Sequence, residues 1–133
     1  KSGQTFFLAA LPLLLWFKKH ELDVYNPIHS STMLNDRILY KLSCVLQIDP
    51  PNGCTTGIFD LKNRRWDNDV AEECGTTLPF SPKVNEAGTV SGNVVKDCAP
   101  LTGLREGMPV VSVGGDAQME SRGTGVLKPN QTL

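Results

Sequence analysis

The residues best suited to chemistry follow a short apolar segment, where Gly114, Gly115 and Asp116 come directly after residues 109–113. Glycine lacks a Cβ, so it lets the backbone turn sharply and approach a ligand closely. The residues after Asp116 are typical of a helix, which places this carboxylate near a helix N-terminus, where negative charge is stabilised. Such an aspartate can act as a general base on a hydroxyl. It can equally be an N-cap bonded to its own helix, and the spacing leaves both roles open.

The segment that must position Asp116 is a predicted strand at residues 109–113 (PVVSV). Because it lacks polar alternation, we expect it to be buried on both faces. Open α/β sheets bind ligands at the carboxyl edge of such strands, and Asp116 would lie at that edge. Elsewhere helix caps, glycines and prolines divide the chain. The other predicted elements are a strand at 28–33, a helix capped by Asn35 or Asp36, a turn at 49–53, an extended segment at 55–61, a helix from Asp67 to Gly75, a strand at 89–93, and a helix at 94–102 that contains Pro100 and stops at Gly103.

Length and composition limit the fold to one mixed α/β domain. The chain has 133 residues, of which 40% are hydrophobic and 20% charged, so it can form a real core and is not a disordered sequence. Its 12 glycines and nine prolines are more than an all-helical bundle would use. With 13 basic and 14 acidic residues the net charge is −1, which argues against nucleic acid as a partner.

The only long apolar run, residues 6–17 (FFLAALPLLLWF), has 12 residues and is interrupted by Pro12. A membrane span needs about 18 such residues or more. A signal-peptide core is a rival on length, but no small-residue cleavage site follows. We therefore predict a buried helix over residues 11–20, with Lys18 and His20 at its negative end, and no membrane association.

The four cysteines, Cys44, Cys54, Cys74 and Cys98, form no C-x-x-C pair, and only two histidines could join them in a metal site. A zinc centre is therefore not expected. A chain of this size does not need disulfides for stability, so we predict reduced thiols in a cytoplasmic protein.

Five blocks of sequence stand out in order along the chain: residues 32–43 (TMLNDRILYKLS), 49–67 (DPPNGCTTGIFDLKNRRWD), 84–94 (VNEAGTVSGNV), 106–118 (EGMPVVSVGGDAQ) and 123–132 (GTGVLKPNQT). These blocks resemble the amino-terminal domain of the FGGY carbohydrate kinase family. Residues 2–19 are similar to the helix that comes before the blocks in the family. Within the family, GQTF and NGCTTGIFDL are most similar to the autoinducer-2 kinase branch, with xylulokinase-like and glycerol-kinase-like members more distant.

The resemblance implies a ribonuclease-H-like, actin-type ATPase fold, of which residues 1–133 would be the C-terminal portion of the amino-terminal domain. It implies transfer of the γ-phosphoryl group of ATP, with magnesium, to a hydroxyl of a sugar or polyol. Asp116 would be the catalytic base and Gln118 would hold substrate hydroxyls, while Gln4 and Thr5 would lie near the sugar pocket. Gly114 and Gly115 would form the turn at the site. The resemblance assigns no metal ligand here and leaves a homodimer of the complete protein open.

Several features indicate a piece of such a kinase, incomplete at both ends. The sequence does not begin with methionine and has no Asp-x-Gly-Thr phosphate hairpin or G-x-x-x-x-G-K-[ST] loop, and the ATP-binding domain would begin after its end. We therefore expect this chain alone to be inactive. Glu120 and Arg122 replace small or apolar residues of the family, and Cys44 replaces a helix-ending glycine. A non-catalytic sugar- or partner-binding module, or a degenerate kinase relic, is the alternative.

Overall fold

The computed structural model describes residues 10–76, 82–128 and 130–131. They form seven helices and six short strands within these ranges. The helices are α1 (Ala10–His20), α2 (Leu22–Tyr25), α3 (Leu34–Ser43), α4 (Pro50–Cys54), α5 (Asn68–Glu73), α6 (Ala99–Thr102) and α7 (Asp116–Gly123). The strands are β1 (Gln47–Ile48), β2 (Phe59–Asp60), β3 (Arg65–Trp66), β4 (Lys83–Val84), β5 (Val90–Asn93) and β6 (Pro109–Val111).

The strands pair two by two. β1 and β4 are parallel, which joins segments far apart in the sequence. β2 and β3 form an antiparallel hairpin, and β5 and β6 form a second antiparallel pair whose register shifts between Val90 and Gly92. The chain is therefore mixed α and β, as its composition predicts.

The first helix confirms the prediction from the apolar run. α1 spans Ala10–His20, with Pro12 in its first turn, where a missing N–H costs little. Leu11 and Leu14 are buried, and the Leu11 N–H donates to the Thr56 carbonyl oxygen across 3.0 Å. The main hydrophobic cluster consists of Leu11, Ile58 and Ala71, surrounded by half-buried Leu15, Trp66, Val70 and Cys74. Among the described residues, every helix is too short or too polar to cross a bilayer.

The predicted helix after Asp67 is also confirmed. The Asp67 carboxylate accepts the Val70 N–H at 3.1 Å and caps α5, which ends before Gly75. Gly75 has φ +70°, a left-handed conformation that favours glycine after a helix.

Three predicted elements are wrong. Residues 28–33 form no strand, and α3 begins at Leu34 with Met33 as its N-cap, so neither Asn35 nor Asp36 is the cap. Residues 49–53 were expected to be a turn, but Pro50 and Pro51 occupy the first turn of α4, where proline is preorganised for a helix. The helix expected at 94–102 shortens to α6, so Pro100 falls in a first turn and costs no internal hydrogen bond.

Strand β6 is buried on one face only, so the prediction that both of its faces are buried is wrong. Val110 and Ser112 are buried, whereas Val111 and Val113 are exposed. This alternation is that of a half-solvated antiparallel strand. The extended segment expected at 55–61 reduces to Phe59–Asp60 after α4. All four cysteines lie within the described residues and are free thiols.

Candidate active site

The backbone at the end of β6 turns through two glycines before α7 begins. Gly114 has φ +96°, which a residue with a Cβ rarely adopts. A Cβ there would also lie 3.5 Å from Cγ of Pro51. Gly115 is extended, with φ −74° and ψ 159°, and is the N-cap of α7. The two glycines therefore bring the start of α7 against α4.

Asp116 is the first residue of α7, and its side chain is exposed. Its Oδ1 accepts the Ala117 N–H at 2.8 Å. Because Gly115 is the N-cap, the alternative that Asp116 is the N-cap is wrong. The carboxylate still benefits from the positive end of α7, which stabilises negative charge.

Gln118 bends back over the turn. A Cβ on Gly115 would lie 2.5 Å from the Gln118 Oε1, so a larger residue there would displace the flexible end of this side chain. The same position would lie 3.9 Å from the Oδ1 of Asn52 on α4. Two amide oxygens therefore approach the turn that carries Asp116.

Asp116 and Gln118 line one open cavity of about 520 Å³, called here the Asp116 cleft. Its wall comes from the N-terminus of α3, from α4 and from the turn into α7. None of the described residues that line it is basic. They are Met33, Leu34, Asn35, Ile38, Pro51, Asn52, Thr55, Gly114, Gly115, Asp116, Ala117 and Gln118.

A buried carboxylate joins two of these walls, α4 and the segment that leads into α7. Asp49 has no exposed surface and caps α4, where its Oδ1 accepts the Asn52 N–H at 3.0 Å. The Asn52 Nδ2 donates to both Asp49 oxygens, at 2.9 Å and 3.0 Å. The Ser112 hydroxyl, just beyond β6, donates to Asp49 Oδ2 at 2.5 Å. The segment that leads to Asp116 is thus tied to the helix opposite it.

A second buried carboxylate, Asp36, lies in the first turn of α3. Its Oδ2 accepts the Met33 N–H at 3.1 Å, and its Oδ1 accepts from Asn35 Nδ2 at 3.3 Å. Burial raises the pKa of the Asp36 carboxyl to about 6, the Met33 N–H bond lowers this pKa, and the nearby Asp49 charge raises it. Met33 and Asn35 both line the cleft, so Asp36 holds the rim in place.

The other residues singled out from the sequence fall into two groups. Gln4 and Thr5 lie outside the described residues. Glu120 and Arg122 are exposed on α7, so neither charge is buried. Sequence reasoning missed Asp49, Asn52 and Ser112. Aspartate before two prolines is a helix-start signal, and it could have revealed the cap of α4.

Comparison with known proteins identifies the family of the chain. The family model described as "FGGY family of carbohydrate kinases, N-terminal domain" matches residues 2–123. The chain belongs to the FGGY family of carbohydrate kinases. Autoinducer-2 kinases of Enterobacter sp. (strain 638) and Escherichia coli (strain K12) are 44% and 41% identical to it over 131 residues, which confirms the predicted branch. Each alignment covers 98% of this chain and 25% of the relative, so the chain spans about a quarter of their length.

Solved FGGY kinases share the fold. Xylulose kinase from Rhodospirillum rubrum superposes with a TM-score of 0.84 at 24% identity, over 91% of this chain and 25% of that one. Gluconate kinase from Lactobacillus acidophilus gives a TM-score of 0.76 at 20% identity, over 84% of this chain and 23% of that one. The chain thus forms part of an α/β, ribonuclease-H-like domain of the actin type, as predicted.

Proposed function

We propose that this chain forms the substrate side of an ATP-dependent sugar or polyol kinase, with Asp116 as the general base. The observation that supports this most is the exposed Asp116 carboxylate in the Asp116 cleft, with Gln118 on the same wall. Ala117 holds Oδ1, whereas Oδ2 accepts no hydrogen bond within the described part of the chain. Oδ2 is therefore oriented and free to accept a proton from a bound hydroxyl.

The proposed step balances as a phosphoryl transfer. The substrate hydroxyl gives its proton to Asp116 as its oxygen bonds to the γ-phosphorus, and the bond from that phosphorus to the ADP oxygen breaks. When bound, ATP would supply the phosphoryl group, and Mg²⁺ would neutralise the negative charge on it. Gln118 can donate and accept hydrogen bonds, which suits it to hold neutral hydroxyls.

Residues outside this chain would complete the site. Within the described residues no three metal-ligating side chains form a group that could hold an ion. Since the chain spans a quarter of its relatives, we propose that residues 1–133 are the C-terminal portion of the FGGY amino-terminal domain. ATP and Mg²⁺ would then be held mainly elsewhere in the full-length protein, and this chain alone would be inactive. The cytoplasmic location, the homodimer and the roles of Gln4 and Thr5 stay predictions.

The test is ADP formation by the full-length protein with autoinducer-2, D-xylulose, gluconate and glycerol, the compounds named by the relatives. Asp116→Asn keeps the side-chain shape but removes the base, so we expect kcat to fall by about 10²–10⁴-fold while substrate still raises the melting temperature. Glu120→Gln is the matched control, because it removes an exposed charge from the same helix outside the cleft. Retained turnover in Asp116→Asn would contradict the assignment.

Two further outcomes separate the alternatives. Sugar-dependent stabilisation of the wild-type protein without ADP formation would favour the non-catalytic binding module. Sugar-dependent ATP consumption by the 133-residue chain alone would contradict its proposed inactivity.

A further inference from the structure

Asn52 is a polar side chain that the fold has oriented toward the Asp116 cleft. It is only 8% exposed, yet it lines the cleft together with Asp116 and Gln118. It is held by α4, which begins directly after the β1 strand and the Asp49 cap. Buried polar groups are normally hydrogen-bonded, so both the Nδ2 and the Oδ1 of Asn52 should have a partner.

The Nδ2 end of Asn52 is fixed by Asp49. This amide nitrogen donates hydrogen bonds to both Asp49 oxygens. The Asn52 backbone N–H and the Ser112 hydroxyl also donate to Asp49. A carboxylate accepts hydrogen bonds and gives none, so the amide cannot turn its oxygen toward Asp49 without placing two acceptors together. Asp49 therefore fixes the orientation of the Asn52 amide, with Nδ2 toward Asp49 and Oδ1 pointing away from it.

The Oδ1 end faces the turn that carries Asp116. It lies 3.9 Å from the position where a Cβ on Gly115 would be. No donor to this oxygen is found in residues 10–76, 82–128 or 130–131. An acceptor that lines the cleft and has no donor among these residues is available to a hydroxyl of a ligand.

We propose that Asn52 contacts the substrate directly, its Oδ1 accepting a hydrogen bond from a hydroxyl other than the one that reacts at Asp116. This inference rests on the proposed function and adds a specificity-determining residue to it. Asp49 is a positioning residue, since it acts only through the Asn52 amide.

The chemistry of the wall selects the group that binds there. Asn52 Oδ1, Gln118 Oε1 and the Asp116 carboxylate all present acceptors, and no described lining residue is a cation. A hydroxyl can donate to these acceptors, whereas a carboxylate or phosphate brings no donor for them and meets no cation among the described lining residues. We therefore expect the substrate to carry a hydroxyl, and no anionic group, at this position.

The experiment uses the full-length protein and the panel of four compounds named above, autoinducer-2, xylulose, gluconate and glycerol. The kcat/KM is measured for the best compound of this panel and for each of its analogues that lacks one hydroxyl. In the wild type, one analogue other than that lacking the reacting hydroxyl should lose about 10- to 100-fold in kcat/KM, as expected for one lost hydrogen bond. In Asn52→Ala, the parent compound should lose a similar factor, and the penalty for that analogue should fall to about two-fold or less. A merely structural role would lower kcat/KM equally for all analogues and would overturn the proposal.

Two other variants keep the test decisive. Asn52→Ser removes the cleft acceptor but leaves a hydroxyl donor for Asp49, so it covers the case in which the alanine variant does not fold. Asp49→Asn should also weaken the discrimination, because it frees the Asn52 amide to turn. Asn26→Ala, an exposed position at the end of α2, is the control and should match the wild type.

Dissociation constants from calorimetry separate this inference from the proposed function. If the wild type binds a panel compound without phosphorylating it, the same comparison is made with Kd. Wild-type discrimination that persists in both Asn52 variants overturns the role of Asn52 alone. A wild type that neither binds nor phosphorylates any panel compound overturns both proposals.

Discussion

Replacing Asp36 by asparagine should stabilise the chain at neutral pH. Asp36 has no exposed surface, and its burial raises its carboxyl pKa to about 6 from an ordinary value of 3.8. The folded state therefore holds the proton more tightly than the unfolded state does. Asparagine carries no charge and retains an oxygen for the Met33 N–H, which donates to Asp36 at 3.1 Å, although it loses the longer bond of 3.3 Å from Asn35 Nδ2.

The sign and size of the effect follow from proton linkage. Below pH 3.8 the carboxyl is protonated in both states, so burial carries no charge penalty. Between pH 4 and 6 the unfolded state ionises first, and the free energy of unfolding falls as the pH rises. Above pH 7 the difference of about two pKa units corresponds to a penalty of about 3 kcal/mol, the upper limit of what Asp36→Asn can recover.

Urea unfolding followed by circular dichroism at pH 4 and at pH 7.5 measures this effect. We expect Asp36→Asn to exceed the wild type in unfolding free energy by about 1–3 kcal/mol at pH 7.5, and by less than about 1 kcal/mol at pH 4. Asp97→Asn, at an exposed turn, is the control and should show no such pH-dependent gain. An Asp36→Asn gain that is equal at both pH values, or absent at pH 7.5, would refute the assignment of the cost to this carboxyl.

Two further substitutions test the backbone and the packing by unfolding measurements at pH 7.5. Cys44→Gly should raise the free energy of unfolding by about 1 kcal/mol. Cys44 is the C-cap of α3 and has φ 56°, a left-handed conformation that is unfavourable for an L-residue. An unchanged free energy of unfolding would show that Cys44 is not strained. Gly53→Ala should lower it by about 1–3 kcal/mol, since the new Cβ would lie 2.7 Å from the buried Phe59 ring. The control Gly123→Ala meets no atom within 4 Å, and a similar loss there would contradict the packing argument.

The sequence predicted correctly those helices whose start or buried face depends on residues close together in the chain. α1, α5 and α7 follow from an apolar run, an aspartate cap and a glycine turn, each contained within a few residues. The Pro-Pro pair of α4 is typical of turns as well as helix starts, and only the Asp49 cap decides between them. The two-faced burial expected of β6 failed because apolar composition does not reveal which neighbours a strand has.

The site also contains residues that the sequence predicted and residues that it did not. Asp116 and Gln118 were predicted because one continuous motif contains them, and both line the Asp116 cleft. Asp49 and Asn52 escaped notice because the run that contains them was interpreted as a turn, and Ser112 escaped notice because its bond to Asp49 spans 63 positions. No periodicity of the sequence connects an asparagine on α4 with a serine beyond β6.

The bond from Ser112 to Asp49 joins residues 63 positions apart. Closing a loop of this length costs the chain entropy, which the folded contacts must offset. A fragment that ends before β6 would lack both Ser112 and the turn that carries Asp116, so it could not form the Asp116 cleft. A sugar that stabilises the folded chain would accordingly protect amides in both halves from hydrogen exchange, and would not protect one helix alone.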